Sequence, residues 1–128
     1  MDKVTAVPLK EVAGVKFGMK RSEVRKVLGQ ANEFKKTKFS KTFADDFGFC
    51  HVFYNSDDEC EAIELFKEVQ VVIDGRLVFP TTLDEAKKIL GELQEDGGSY
   101  ISEKDSVGIC APGGSMESIL FGIAGYYE

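Results

Sequence analysis

Tryptophan is absent from this 128-residue chain, histidine occurs once, at position 51, and cysteine three times. Each scarcity excludes some chemistry. A single histidine, with no CxxC spacing among Cys50, Cys60 and Cys110, leaves a structural zinc site without its ordinary ligands. Cys50 and His51 are adjacent, so on a strand they point to opposite faces and cannot act as a nucleophile and its base. Asp57-Asp58-Glu59 lacks the alternating ligands and central glycine of a calcium loop. Neither Gly97-Gly98 nor Ala111-Pro112-Gly113-Gly114 leads into the Gly-Lys-Ser/Thr ending of a phosphate loop, and both read as turns. The chain is therefore expected to be no enzyme and to use no cofactor or metal.

Long hydrophobic runs are also missing. No window approaches the roughly eighteen apolar residues of a membrane helix, and the opening MDKVTAVPLKEVAG has no apolar signal core. These absences lead to the expectation of a cytoplasmic protein with reduced thiols.

Charge is abundant but unevenly placed. Residues 1–44 carry +7 and residues 45–128 carry −13, which together give the net −6. The acidic part opposes general nucleic-acid binding and suits a basic partner. Its short clusters supply the candidate contact residues Asp45, Asp46, Asp57, Asp58, Glu59 and Glu61. The one stretch with a nucleic-acid flavour is residues 34–43, where Lys35, Lys36, Lys38 and Lys41 interleave with Phe34, Phe39 and Phe43. It is read first as a strand with one apolar and one solvated side.

A repeat organises the rest. GVKFGMKRSEVRKVLG at 14–29 returns without gaps as RLVFPTTLDEAKKILG at 76–91. Phe17 aligns with Phe79, Glu23 with Glu85, Leu28 with Leu90 and Gly29 with Gly91. In the second copy Thr82 is placed to cap a helix, with Glu85 three residues on. Leu83, Ala86, Ile89 and Leu90 then fall on one helical face. In the first copy Lys20 stands in the cap position and Val24, Val27 and Leu28 form the stripe. Gly29 stops the first helix; the second either stops at Gly91 or runs through Leu93 to the glycines at 97–98.

Strand patterns follow each helix. Residues 47–54 and 59–66 flank the turn 55–58 as one hairpin, and 69–73 with 76–79 form another around Asp74-Gly75. Residues 107–110 and 115–123 repeat the theme, with a further short strand at 99–102. A symmetric first hairpin sets Cys50 opposite Ile63 and Cys60 opposite Phe53, on different sides of the sheet, which precludes a disulfide between them. The expected fold is α+β, a single domain built from two related helix-plus-hairpin units (about 14–74 and 76–128). Together they form one antiparallel sheet with helices packed on one face.

The motif GVKFGMKRSEVRKVLG resembles the helical signature of small bacterial lipoproteins of the SmpA/OmlA type. The tandem arrangement is similar to the repeat β-lactamase inhibitor proteins, whose two units each place helices on an antiparallel sheet. The chain also resembles small Gram-positive proteins grouped with toxin-immunity proteins. It carries no lipidation cysteine, so a membrane role does not transfer. These resemblances imply a non-enzymatic protein that presents a sheet face or loops to a protein partner.

The function expected is binding and neutralising such a partner, as an immunity or inhibitor protein meeting a basic toxin or nuclease domain. The alternatives are a small ligand- or protein-binding scaffold and a weak nucleic-acid binder acting through residues 34–43.

Overall fold

The structure is a computed structural model that describes residues 2–35, 37–40, 42–66 and 68–127. In chain order the elements are β1 (Asp2–Val7), β2 (Glu11–Val12), β3 (Val15–Lys16), α1 (Arg21–Leu28), β4 (Asn32–Phe34), β5 (Ala44–Asp46), β6 (Cys50–Tyr54) and β7 (Cys60–Phe66). There follow β8 (Val69–Ile73), β9 (Arg76–Phe79), α2 (Leu83–Leu90), β10 (Gln94–Asp96), β11 (Ser99–Ser102), β12 (Val107–Cys110) and β13 (Ser118–Gly122). None of the described helices is long and apolar enough to cross a membrane.

The chain is mostly β, and this corrects the α+β expectation of one antiparallel sheet with helices covering a face. The strands form two sheets, five strands in the order β3-β2-β1-β8-β9 and eight in the order β10-β11-β12-β13-β7-β6-β5-β4. The inner faces of both line one core. Val4, Val12, Val71 and Phe79 come from the smaller sheet, and Val52, Ile63, Leu65, Ile109, Ile119 and Phe121 from the larger. The helices add only Val24, Ala86 and Leu90 to the buried set.

Size explains why the helices cannot form a layer. Each has eight residues, about 12 Å of length, against about 34 Å across a sheet of this strand number. The second sheet does the covering. Its seed is β1, whose Val4 and Ala6 point inward while Thr5 and Val7 point out. It pairs in parallel with β8, Val4 beside Val71, and draws the 69–79 hairpin away from the larger sheet.

The two repeat segments adopt the same local structure at the same spacing. α1 and α2 begin at Arg21 and Leu83 and end before Gly29 and Gly91. Each copy keeps half of a capping box. The Lys20 amide donates to Glu23 Oε1 at 3.2 Å in the first, and the Glu85 amide donates to Thr82 Oγ1 at 3.2 Å in the second. Both stops are glycines at φ 99°, ψ −150° and φ 82°, ψ −154°, a region that side chains exclude. The second helix thus ends at Leu90 and does not run on, because residues 94–96 pair with 99–102 as a strand. Four strands of the larger sheet follow each helix, β4–β7 and β10–β13, and the two runs meet at the antiparallel β7–β13 seam.

The first hairpin departs from its expected register. Cys50 pairs with Leu65 and Phe53 with Ala62. The register then shifts so that Tyr54 meets Cys60, leaving Glu61 as the extra residue. The irregularity turns Cys60 into the core beside Tyr54, on the same side as Cys50. All three cysteines are free. The Asp74-Gly75 turn matches its sequence pattern, with both residues at positive φ, 51° and 77°.

Candidate functional site

The six candidate carboxylates do not form one surface. Asp45, expected among the acids that meet a partner, is 0% exposed and faces inward from β5. Arg21 and Arg25 stand one helical turn apart on α1 and both reach it. Oδ1 accepts from Arg21 Nη1 at 3.0 Å and from Arg25 Nη2 at 2.6 Å. Oδ2 accepts from Arg25 Nε at 2.9 Å and from the Tyr54 hydroxyl at 2.9 Å. Burial pushes this carboxyl up, but the bonds from Arg25 and Tyr54 and the charges of the two arginines outweigh it and hold it below its ordinary range. The Arg21 guanidinium also lies 4.1 Å from the centre of the Tyr54 ring. Asp45 is thereby fully committed to docking α1 on the sheet.

The turn at 55–59 is partly neutralised from within. Arg21 Nε donates to Asp58 Oδ1 at 2.8 Å, and Lys20 Nζ lies 3.6 Å from Glu59 Oε2. The Asn55 carboxamide oxygen accepts from the amides of Asp57 and Glu59 and sets the turn's shape. Asp57 is exposed, and Glu61 is half-buried at the register shift. Asp46 accepts from the Gly48 amide at 2.8 Å and points to the outer face of the larger sheet.

Of the expected strand over residues 34–43, Phe34 lies in β4, while the other described residues, 35, 37–40, 42 and 43, form none, and Phe39 is 82% and Phe43 46% exposed. Lys35 Nζ sits 5.3 Å from the Phe43 ring centre and Lys38 Nζ 5.2 Å from that of Phe39. Lys36 and Lys41 lie outside the described residues.

The outer face of the larger sheet is where chemistry converges. Alternation and register place there Asn32, Phe34, Ala44, Asp46, His51, Phe53, Ala62, Glu64 and Phe66 on one half. Gln94, Asp96, Ser99, Ile101, Gly108, Cys110, Ser118, Leu120 and Gly122 occupy the other. These positions include three carboxylates, Asp46, Glu64 and Asp96, and no lysine or arginine. His51 sits opposite Glu64, with Phe34 and Phe66 at 4.6 and 4.8 Å between ring centres, and its Nε2 is 3.6 Å from Asp46 Oδ1. Ser118 Oγ donates to Glu64 Oε2 at 2.9 Å. Among the described residues, no three His, Cys, Asp or Glu side chains are grouped to hold a metal.

The segment after β13 folds back over this face. Tyr126, like Phe34 and Leu120, packs against the buried cluster of Ala44, Phe53 and Ala62. A Cβ on Gly122 would come within 2.6 Å of the Tyr126 ring, and the Tyr127 hydroxyl occupies the space a Gly108 side chain would take. Sequence reasoning missed both tyrosines. The adjacent pair in GIAGYYE, just after a strand pattern, was the available signal. No family model matches the chain, and no curated protein or solved structure matches it.

Proposed function

We propose that this is a non-enzymatic protein that binds and neutralises a cationic protein partner, of the toxin-immunity or inhibitor type, through the outer face of its larger sheet. The observation that carries the reading is the composition of that face. Its strand positions combine Asp46, Glu64 and Asp96 with the rings of Phe34, His51, Phe53 and Phe66, and they include no lysine or arginine. Carboxylates set among aromatic surfaces suit arginine and lysine side chains, which pair with the former and stack on the latter. Complementary charge also raises the association rate. The contact surface is thus moved from the 55–59 turn, where Lys20 and Arg21 already engage Glu59 and Asp58, to the sheet. The two halves are read as copies of one unit because in each the helix of the repeat segment is followed by four strands of the larger sheet.

The test is a capture experiment from the native host at physiological ionic strength, comparing wild type with Glu64→Gln and Asp96→Asn. Support requires a basic protein whose own activity falls on binding, whose association slows with salt, and which the two variants bind more slowly. Binding unaffected by both variants would overturn the assignment of the face. Retention on heparin with loss in Lys35→Ala/Lys38→Ala would favour residues 34–43 as a nucleic-acid contact instead.

A further inference from the structure

We propose that Tyr126 and Tyr127 form a removable partition across the outer face, so that the chain exists in a closed form filled by its own tyrosines and an open form with one continuous groove. Two cavities flank the pair. One of about 220 Å³ is lined by Thr42, Ala44, Phe53, Glu61 and Tyr126. The other, about 300 Å³, is lined by Glu64, Cys110, Ser118, Leu120 and Tyr127 among others. Each tyrosine walls one cavity, and the two rings meet edge to face at 5.3 Å between centres. Moving them together joins the cavities into a groove running across the seam between the two halves of the sheet.

The attachment of the pair is slight. Among the described residues past Gly122 there is no further strand pairing. The Ile123 amide donates to the Glu61 carbonyl at 3.0 Å and the Tyr126 amide to the Ile123 carbonyl at 3.0 Å. Neither phenol has a hydrogen-bond partner among the described residues, in contrast to Tyr54, whose hydroxyl is bonded to Asp45. The rings are held by packing into the gaps left by Gly108 and Gly122. Ala124 and Gly125 are exposed, and Gly125 has φ 82°, which gives the segment a solvated bend about which to turn. Burial and the charges of Glu61 and Glu64 raise the Tyr126 phenol, and burial, Tyr126 and Glu64 raise that of Tyr127, consistent with rings partly withdrawn from water.

For the partner, this inference rests on the cationic-face reading, whereas the partition itself is tested without one. Gly108→Ala and Gly122→Ala, at positions without positive φ, fill the two gaps and expel the rings. Tyr126→Ala/Tyr127→Ala removes the rings and leaves the gaps. The readouts on the full chain are the rate at which Cys110 reacts with a small thiol reagent and the affinity for an oligoarginine peptide, with urea unfolding as the check on folding.

The expected result is cooperative unfolding in all variants, Cys110 modification faster by about tenfold, and tighter peptide binding that weakens with salt. Unchanged Cys110 rates in folded variants, or loss of cooperative unfolding in the double tyrosine variant, would overturn the partition. Faster Cys110 modification without tighter peptide binding would leave the partition standing and remove the cationic-face reading.

Discussion

Arg25 grips Asp45 with two parallel bonds, Nε to Oδ2 at 2.9 Å and Nη2 to Oδ1 at 2.6 Å, joining the middle of α1 to β5. The carboxylate is fully buried while Arg25 retains 34% of its side-chain exposure. The cost of removing it from water therefore falls mainly on the acid, and Arg21 and Tyr54 offset it. Asp45→Asn should lower stability by about 3 kcal/mol, because it leaves two guanidinium groups without their shared acceptor. Arg25→Lys keeps the charge but not the fork, and should cost about 1 kcal/mol. Urea unfolding of the three proteins checks the order.

The same carboxylate makes stability acid-sensitive. Its folded pKa lies below the ordinary value, so its contribution is present above the unfolded pKa of about 3.9 and is lost as pH falls through the folded value. The unfolding midpoint of the wild type should drop more steeply below about pH 4 than that of Asp45→Asn. Parallel curves for the two would show that other groups govern acid unfolding.

Both helices depend on the backbone geometry of their stops. Gly29→Ala and Gly91→Ala force a side chain into a region used almost only by glycine, and each should cost about 1–3 kcal/mol. Thr82→Ala removes the hydroxyl that accepts the Glu85 amide and should cost about 1 kcal/mol. Thermal or urea unfolding gives both values.

Thiol titration should separate the cysteines. Cys50 and Cys60 are 0% and 1% exposed, and burial, with nearby acidic charge, raises both to about 12. Cys110 is half-buried and lines the outer-face cavity. One thiol should react slowly in the native protein, and all three after denaturation. Native reaction of Cys50 or Cys60 would show that the core opens.

The acidic turn and the outer face should respond differently to neutralisation. Asp57→Asn should alter neither stability nor association, since Asp57 is exposed and outside the sheet face. Asp58→Asn and Glu59→Gln should each cost up to about 1 kcal/mol, because they release Arg21 and Lys20. Glu64→Gln should slow partner association and flatten its salt dependence. Stopped-flow association with the captured partner, beside urea unfolding, distinguishes these cases.

The sequence alone determined what a few neighbouring residues settle among themselves. Thr82 caps because its hydroxyl meets an amide three residues on, Asp74-Gly75 turns because both accept positive φ, and Gly29 and Gly91 end helices of matching length. The hairpin of β6 and β7 was legible from its alternation, but its register was not, since the shift at Tyr54 depends on what the core beneath accepts. Tertiary structure alone decided the rest, because it rests on partners distant in the chain. β1 pairs with β8 across sixty-seven positions and creates the second sheet. Asp45, reading locally as one more surface acid, is buried because two arginines twenty or more residues away arrive beside it. The two tyrosines after β13 are marked in the sequence only by their adjacency after a strand pattern, which does not say what they cover. Their place over Gly108 and Gly122 follows only once the strands bring those glycines onto one face.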